Sequence, residues 1–254
     1  MTHPPAINRG LGRALGDVVA SATGAESRHD PIEPGTGGPA GNAKLTGWIG
    51  LLLLAGFLAE CVTLLSLHAM LTAHVLIGGV LIPLVLVKTG MTGWRIARYY
   101  TGSVPYRTAG PPPLLLRILG PLVVLTGLAV LGSGLALIPL GDSSFDAIAS
   151  VAGQRIDAVT LHKLCFVLWL GITGAHVLAR TVPALQLTVG GSGRRGRVPG
   201  RGARAAVLVV TIAVSIGAGV VVSDLPTSWN EGRLHHVDDR PEGIAFGAAN
   251  GAAA

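Results

Sequence analysis

Residues 161–180 read LHKLCFVLWLGITGAHVLAR, and this stretch decides the fold. It is apolar over the length of a membrane span, yet it carries His162 and His176, fourteen positions apart. At about 100° per residue, fourteen positions fall about 40° short of four full turns. The two imidazoles therefore leave nearly one face of a helix, about 21 Å apart along its axis, within a hydrocarbon core roughly 30 Å thick. Such a helix belongs in a bundle whose interior receives that face.

The composition agrees. Half of the 254 residues are hydrophobic and 13% are charged, and the mean hydropathy is +0.59. A soluble domain carries about a quarter charged residues, so this is the composition of an integral membrane protein. The opening MTHPPAINRG has no apolar h-region, so the first span itself is expected to direct insertion. Cys61 and Cys165 lie in separate apolar stretches without metal or CxxC spacing, which makes a thiol–disulfide activity the weakest of the readings.

Outward from the quoted stretch, the chain divides into a flexible cytoplasmic leader (1–43) and a membrane bundle of four helices (44–182). A basic cytoplasmic loop (183–204), a fifth span (205–222) and an extracytoplasmic polar tail (223–254) follow. The first four spans are expected at about 45–67, 70–87, 114–140 and 159–178, the boundary between the first two being unmarked by Gly or Pro. Segment 88–117 holds Lys88, Arg95, Arg98, Arg107 and Arg117 without an acid. Segment 180–204 holds Arg180, Arg194, Arg195, Arg197, Arg201 and Arg204, again without one. Loop 141–158 and the tail are net acidic. The positive-inside rule then predicts a multi-pass protein of the cell membrane, with its N-terminus cytoplasmic and its C-terminus outside. The net charge of +6 reports topology, and no nucleic-acid partner is expected.

Four histidines, His68, His74, His162 and His176, lie in or beside spans, where ionisable groups mark bundle interiors and pathways. The second and fourth spans run in the same direction, and His74 and His162 enter them at similar depth. Two imidazoles at one depth on separate helices can supply both axial ligands of a haem iron. Gly78, Gly79, Gly171 and Gly174 would let a flat macrocycle approach the backbone, although Gly in spans also serves helix packing. Fourteen residues below His74 stands Lys88, a residue expected to snorkel to the boundary. His176 is thus a ligand for a second haem only if an unusual partner faces it. Glu60, in the first span, is a proton-handling candidate or a hydrogen-bonded neutral carboxyl. Met70 is a weaker ligand candidate than a core residue. Trp94, Tyr99, Tyr100, Arg95 and Arg98 read as an interfacial anchor.

The run HVLIGGVLIPLVLVKTGMTGWRIARYYTGSVPYRTAGPPPLLLRILGPLVVLTGLAVLGSG, with LHKLCFVLWLGITGAHVLAR, resembles bacterial membrane proteins of the transmembrane respiratory cytochrome b superfamily. That superfamily includes the hydrogenase and formate dehydrogenase cytochrome b subunits. The resemblance covers about residues 44–182 and rests on His74, KTGMTGWRIARYY, GPPPLLLR, His162 in LHK, and His176. It implies haem b and electron transfer, often between a quinone and a partner oxidoreductase. Lys88 departs from the two-haem pattern.

The expectation is therefore an all-α polytopic membrane bundle, a four-helix haem-binding core with a fifth transmembrane helix. His74 and His162 hold the haem iron, and His176 is a candidate for a second haem. The chain would act as an electron-transfer subunit rather than a stand-alone enzyme, with the lipid bilayer, a quinone and a partner oxidoreductase as its surroundings. The alternatives are a haem-free anchor or assembly subunit for a soluble enzyme, and a small cation or metal transporter using Glu60 and the histidines.

Overall fold

The computed structural model describes residues 12, 16, 19–20, 30–111, 114–151, 153–188 and 198–225. Among them, four helical runs are long and apolar enough to cross a membrane: Gly38–Tyr100, Leu116–Phe145, Ala158–Thr188 and Arg201–Ser223. The protein is thus an all-α, multi-pass membrane helix bundle.

The first run has 63 residues, about 95 Å if straight, or some three hydrocarbon thicknesses. It folds back instead. Helix α1 (Gly38–Thr63) passes through a 3₁₀ turn, Leu64–Ser66, into α2 (Leu67–Tyr100). Ser66 (φ −148°, ψ 65°) and Met70 (φ −115°, ψ 18°) leave helical geometry and reverse the chain. The two helices are antiparallel: Asn42 Nδ2 donates to the Met91 carbonyl (3.4 Å) and Lys88 Nζ to that of Thr46 (3.1 Å), while His74 lies beside Glu60 near the turn.

Helix α3 (Val104–Ala109) is short, and α4 (Leu114–Leu140) covers the expected third span. The loop after α4 holds a 3₁₀ turn, Gly141–Phe145, and an antiparallel hairpin of β1 (Ala149–Val151) and β2 (Gln154–Ile156), paired Val151 to Gln154. Gly153 takes φ 79° in its two-residue turn, a conformation that favours glycine. Helix α5 (Ala158–Thr188) starts at Asp157, whose carboxylate accepts the Thr160 backbone N–H at 2.6 Å. That bond holds the Asp157 carboxyl below its ordinary pKa. A carboxyl with a lowered folded-state pKa stabilises the fold above its unfolded value and loses that contribution as pH falls through the folded value. Asp157→Ala is therefore expected to lower the Tm at pH 7, with the gap to the native protein closing in scans below pH 3.8.

Helix α1 packs on α2 and α5, and α4 packs on α5 and α2, which closes a four-helix ring. In that ring α2 and α5 occupy opposite corners. Its core is Leu45, Ile49 and Leu53, four residues apart on α1, against Leu81 and Leu84 of α2. The outward faces remain apolar: Leu86, Leu125, Val167, Leu178 and Val209 are all more than half exposed. So continuous an apolar surface suits lipid and not water.

The fifth span, α6 (Arg201–Ser223), joins the bundle from outside the ring and makes its most extensive contact with α2. Thr211, Ser215 and Gly219, each four residues apart, form its buried stripe. Small residues let the backbones approach. A Cβ added at Gly79 would lie 2.9 Å from the Gly219 Cα, so Gly79 serves this contact and not a cofactor. Gly79→Val is expected to destabilise by about 1–3 kcal/mol through overpacking. In thermal scans it should separate loss of α6 contact from loss of the ring.

Three expected spans are parts of longer helices: α1 starts before residue 45, α2 continues past 87 and α5 past 178. α1 begins at Gly38, not near Leu45, because Gly37 (φ 86°) turns the chain and Pro39 presets the first helical turn. Residues 30–37 pack at the same end of the bundle, where Asp30 receives both guanidinium nitrogens of Arg95 (2.5 and 3.4 Å). Most of the expected polar tail and of the leader, with His3, His29, His235 and His236, lies outside the described residues, as does the arginine run at 194–197.

Candidate functional site

Seven residues make two turns with only about 20° of drift, so positions seven apart share a face. The bundle interior is layered on that period. Glu60 (α1), His74 (α2), Ser133 (α4) and His162 (α5) form one polar layer. Two turns below, Leu53, Phe57, Leu81 and Trp169 form an apolar layer, with the Phe57 and Trp169 rings 4.5 Å apart. Two turns further stand Lys88 and His176.

In the first layer the ring centroids of His74 and His162 lie 6.4 Å apart, with planes at 84°. Their helices stand at opposite corners, so the side chains reach toward each other across the interior. A metal bound by one nitrogen of each ring at about 2 Å, each nitrogen about 1 Å from its ring centre, sets opposed imidazole centroids roughly 6 Å apart.

The hydrogen bonds fix which nitrogen is free. The Thr63 hydroxyl donates to the Glu60 carbonyl (2.6 Å), so its oxygen accepts from His74 Nδ1 (3.0 Å). Glu60 Oε1 lies equally close to that Nδ1, at 3.0 Å. The Ser133 hydroxyl donates to the Val130 carbonyl (3.1 Å), so its oxygen accepts from His162 Nδ1 (2.9 Å). Both imidazoles thus carry their proton on Nδ1 and present the Nε2 lone pair. Metal-binding histidines have this tautomer and this kind of outer partner.

Glycine keeps the layer open at position 134, while at 78 a Cβ would make only an ordinary contact. A Cβ at Gly134 would lie 3.1 Å from His162 Cε1, and one at Gly78 would lie 3.8 Å from Glu60 Oε1. Gly171 and Gly174 face open space. Among the described residues no group of three or more His, Cys, Asp or Glu side chains is placed to hold a metal ion. Two imidazoles are too few for a structural or catalytic zinc site. They suffice for a haem iron, whose macrocycle supplies four nitrogens of its own. The donor set of this layer fits a bis-histidine haem.

His176 is different. Its Nδ1 is buried without a hydrogen-bond partner, and no imidazole stands opposite it among the described residues. Lys88 is at that level and does not snorkel outward: its ammonium turns to the Thr46 carbonyl, where Gly50 leaves it room. A Cβ on Gly50 would be 2.8 Å from Nζ. The Trp94 and Tyr100 side chains are exposed at the basic end, with Arg98 over the Trp94 and Tyr106 rings (5.6 and 5.9 Å). That suits the anchoring role and places the cluster far from the imidazole pair. Met70 marks the chain reversal, and Cys61 and Cys165 are free thiols.

Sequence reasoning missed Ser133 and Thr63. A hydroxyl in a span usually bonds its own helix, and nothing in the sequence distinguishes these two from Thr126 or Thr181, which do only that. Comparison of the chain with protein-family models, curated proteins and solved structures gives no match.

Proposed function

We propose that this chain is a membrane cytochrome that binds one haem b between His74 and His162 and passes electrons between a quinone or other membrane donor and a partner oxidoreductase. The carrying observation is a pair of imidazoles 6.4 Å apart in a bundle interior, each with its Nδ1 bonded to an outer partner, and no metal-holding group of three or more His, Cys, Asp or Glu among the described residues. The haem supplies one-electron redox chemistry. The residues of the chain do the rest. His74 and His162 bind and orient, Thr63, Glu60 and Ser133 hold the imidazole protons at Nδ1, and the Phe57–Trp169 layer excludes water from below. Glu60 is the proton-handling group of the site, with Oε2 buried and unpartnered.

Both basic connections belong to the end opposite the imidazole layer. With that end cytoplasmic, the haem lies near the outer surface, and the chain sits in the cell membrane with its N-terminus inside and its C-terminus outside. Electrons then enter and leave on the outer side. The transporter alternative needs a polar path through the bundle, and Leu81, Phe57 and Trp169 fill the layer where that path would run. A haem-free anchor explains neither free Nε2.

The test is a reduced-minus-oxidised visible spectrum of the protein purified from haem-replete cells, with haem quantified per chain. A sharp b-type α band at one haem per chain is the expected result. A flat spectrum would leave His74 and His162 as packing residues and the anchor role in front. A ratio of two would return His176 to the ligand set.

A further inference from the structure

The layer of Lys88 and His176 has no part in the imidazole site, and its chemistry points elsewhere. Lys88 and His176 are each partly buried, and both lie within electrostatic reach of Arg180, which is exposed at the rim. Arg95 stands nearby, paired with Asp30, whose carboxylate also lies within electrostatic reach of Arg180. Lys88 and Arg180 have no acidic partner in ion-pair contact among the described residues. Lys88 uses one of its three protons, on the Thr46 carbonyl.

Three buried polar atoms at or within about a turn of this level lack a hydrogen-bond partner among the described residues: His176 Nδ1, Thr46 Oγ1 and, three residues before His176 on α5, Thr173 Oγ1. The threonines are telling. Thr126, Thr181, Thr188 and Thr211 each return their hydroxyl to the carbonyl four residues back, the ordinary solution for a helix in lipid. Thr46 and Thr173 do not. Buried polar groups are nearly always satisfied, so a group of them left open beside two cations marks a place that a ligand completes.

Depth and charge identify that ligand. Lys88 lies fourteen residues, about 21 Å, from the His74 layer, which itself begins about a turn inside the span. This is the level at which the hydrocarbon core gives way to lipid headgroups. Basic pockets between helices at that level suit anionic headgroups, and a phosphate offers the oxygens that an ammonium, a guanidinium and hydroxyl or imidazole donors require.

We infer that Lys88, Arg180 and His176, with the Thr46 and Thr173 hydroxyls, form a binding site for a phosphate group, carried by an anionic lipid or free in solution. The site is independent of the haem reading. It gives Lys88 and His176 a shared purpose that a second haem would not. Arg180 meets the phosphate at the rim, Lys88 neutralises it from within, and Gly50 keeps the space that the ammonium needs.

The experiment uses the full chain in an uncharged detergent, stripped of lipid by exchange. Native mass spectrometry counts retained lipid, and thermal scans follow additions of phosphatidylglycerol, phosphatidylcholine or inorganic phosphate at matched ionic strength. The expected result is one phosphatidylglycerol retained per chain and a Tm raised by phosphatidylglycerol but not by phosphatidylcholine. Arg180→Gln and Lys88→Gln should each weaken retention about tenfold, the effect of losing a hydrogen bond to a charged group, and Arg180→Lys should restore part of it. Stabilisation by inorganic phosphate to the same extent would make free phosphate the occupant. Equal responses to both lipids with none to phosphate, or unchanged retention in Arg180→Gln, would overturn the site. Should Lys88→Gln fail to fold, the exposed Arg180 still gives the answer.

Discussion

His74→Ala and His162→Ala, each made alone, are expected to abolish the b-type spectrum, lowering haem retained per chain by about tenfold or more. The size of the effect follows from the geometry. In the proposed site each ring would supply one of two protein bonds to the iron, and among the described residues no group of three or more His, Cys, Asp or Glu side chains is placed to hold a metal in its stead. The bundle should survive, because the hydrophobic core of Leu45, Ile49, Leu53, Leu81 and Leu84 lies in layers below and contains neither histidine. His176→Ala is the matched control. It also removes an intramembrane imidazole, but one whose Nδ1 has no partner and which shares its level with Lys88 and not with a second imidazole. It should keep the native haem content. Haem loss in all three variants alike would point to general instability, and haem kept in His74→Ala would exclude that residue as a ligand.

Glu60→Gln should retain haem but shift its midpoint potential upward. The two imidazoles differ in their outer partners: His162 leans on a neutral serine, while His74 has a carboxylate oxygen 3.0 Å from Nδ1. A carboxylate accepting that proton makes the imidazole more basic and favours the more positive, oxidised iron. Removing the charge reverses this. If the 10–100-fold effect typical of losing a ligand's outer partner falls on the oxidised state, the potential rises by about 60–120 mV, at 59 mV per tenfold for one electron. Redox titration of both proteins in the same detergent reads it directly. An unchanged potential would mean that Glu60 is neutral in the native protein and acts only through packing. Ser133→Ala, which removes a neutral partner from the other ligand, should move the potential less.

Much of the architecture is legible in the order of residues. Long apolar runs, interrupted by basic stretches, define spans because lipid leaves a chain few ways to satisfy its backbone. The third span matched α4 at both ends. The reversal between α1 and α2 was not marked, because it uses Ser66 and Met70 and not Gly or Pro. Nor was the start of α1, set by the left-handed Gly37 and the following Pro39 in a stretch whose composition reads as leader. The β-hairpin at 149–156 is too short for alternation to show.

The candidate site divides in the same way. That His74 and His162 share a depth follows from counting along two helices, which is one-dimensional information. Lys88 and His176 share a level for the same reason. Residue order alone therefore carries the membrane class, the approximate spans and the register of ionisable residues along each. It could not say that α2 and α5 stand at opposite corners, that Ser133 and Thr63 hold the imidazole protons, that Gly79 belongs to α6, or that Lys88 turns inward. Those are facts of rotation and neighbourhood. They depend on which helix faces pack together, and in lipid that choice is made by small-residue contacts and single hydrogen bonds spread over separate helices. No local pattern records them, and they emerge when the helices pack.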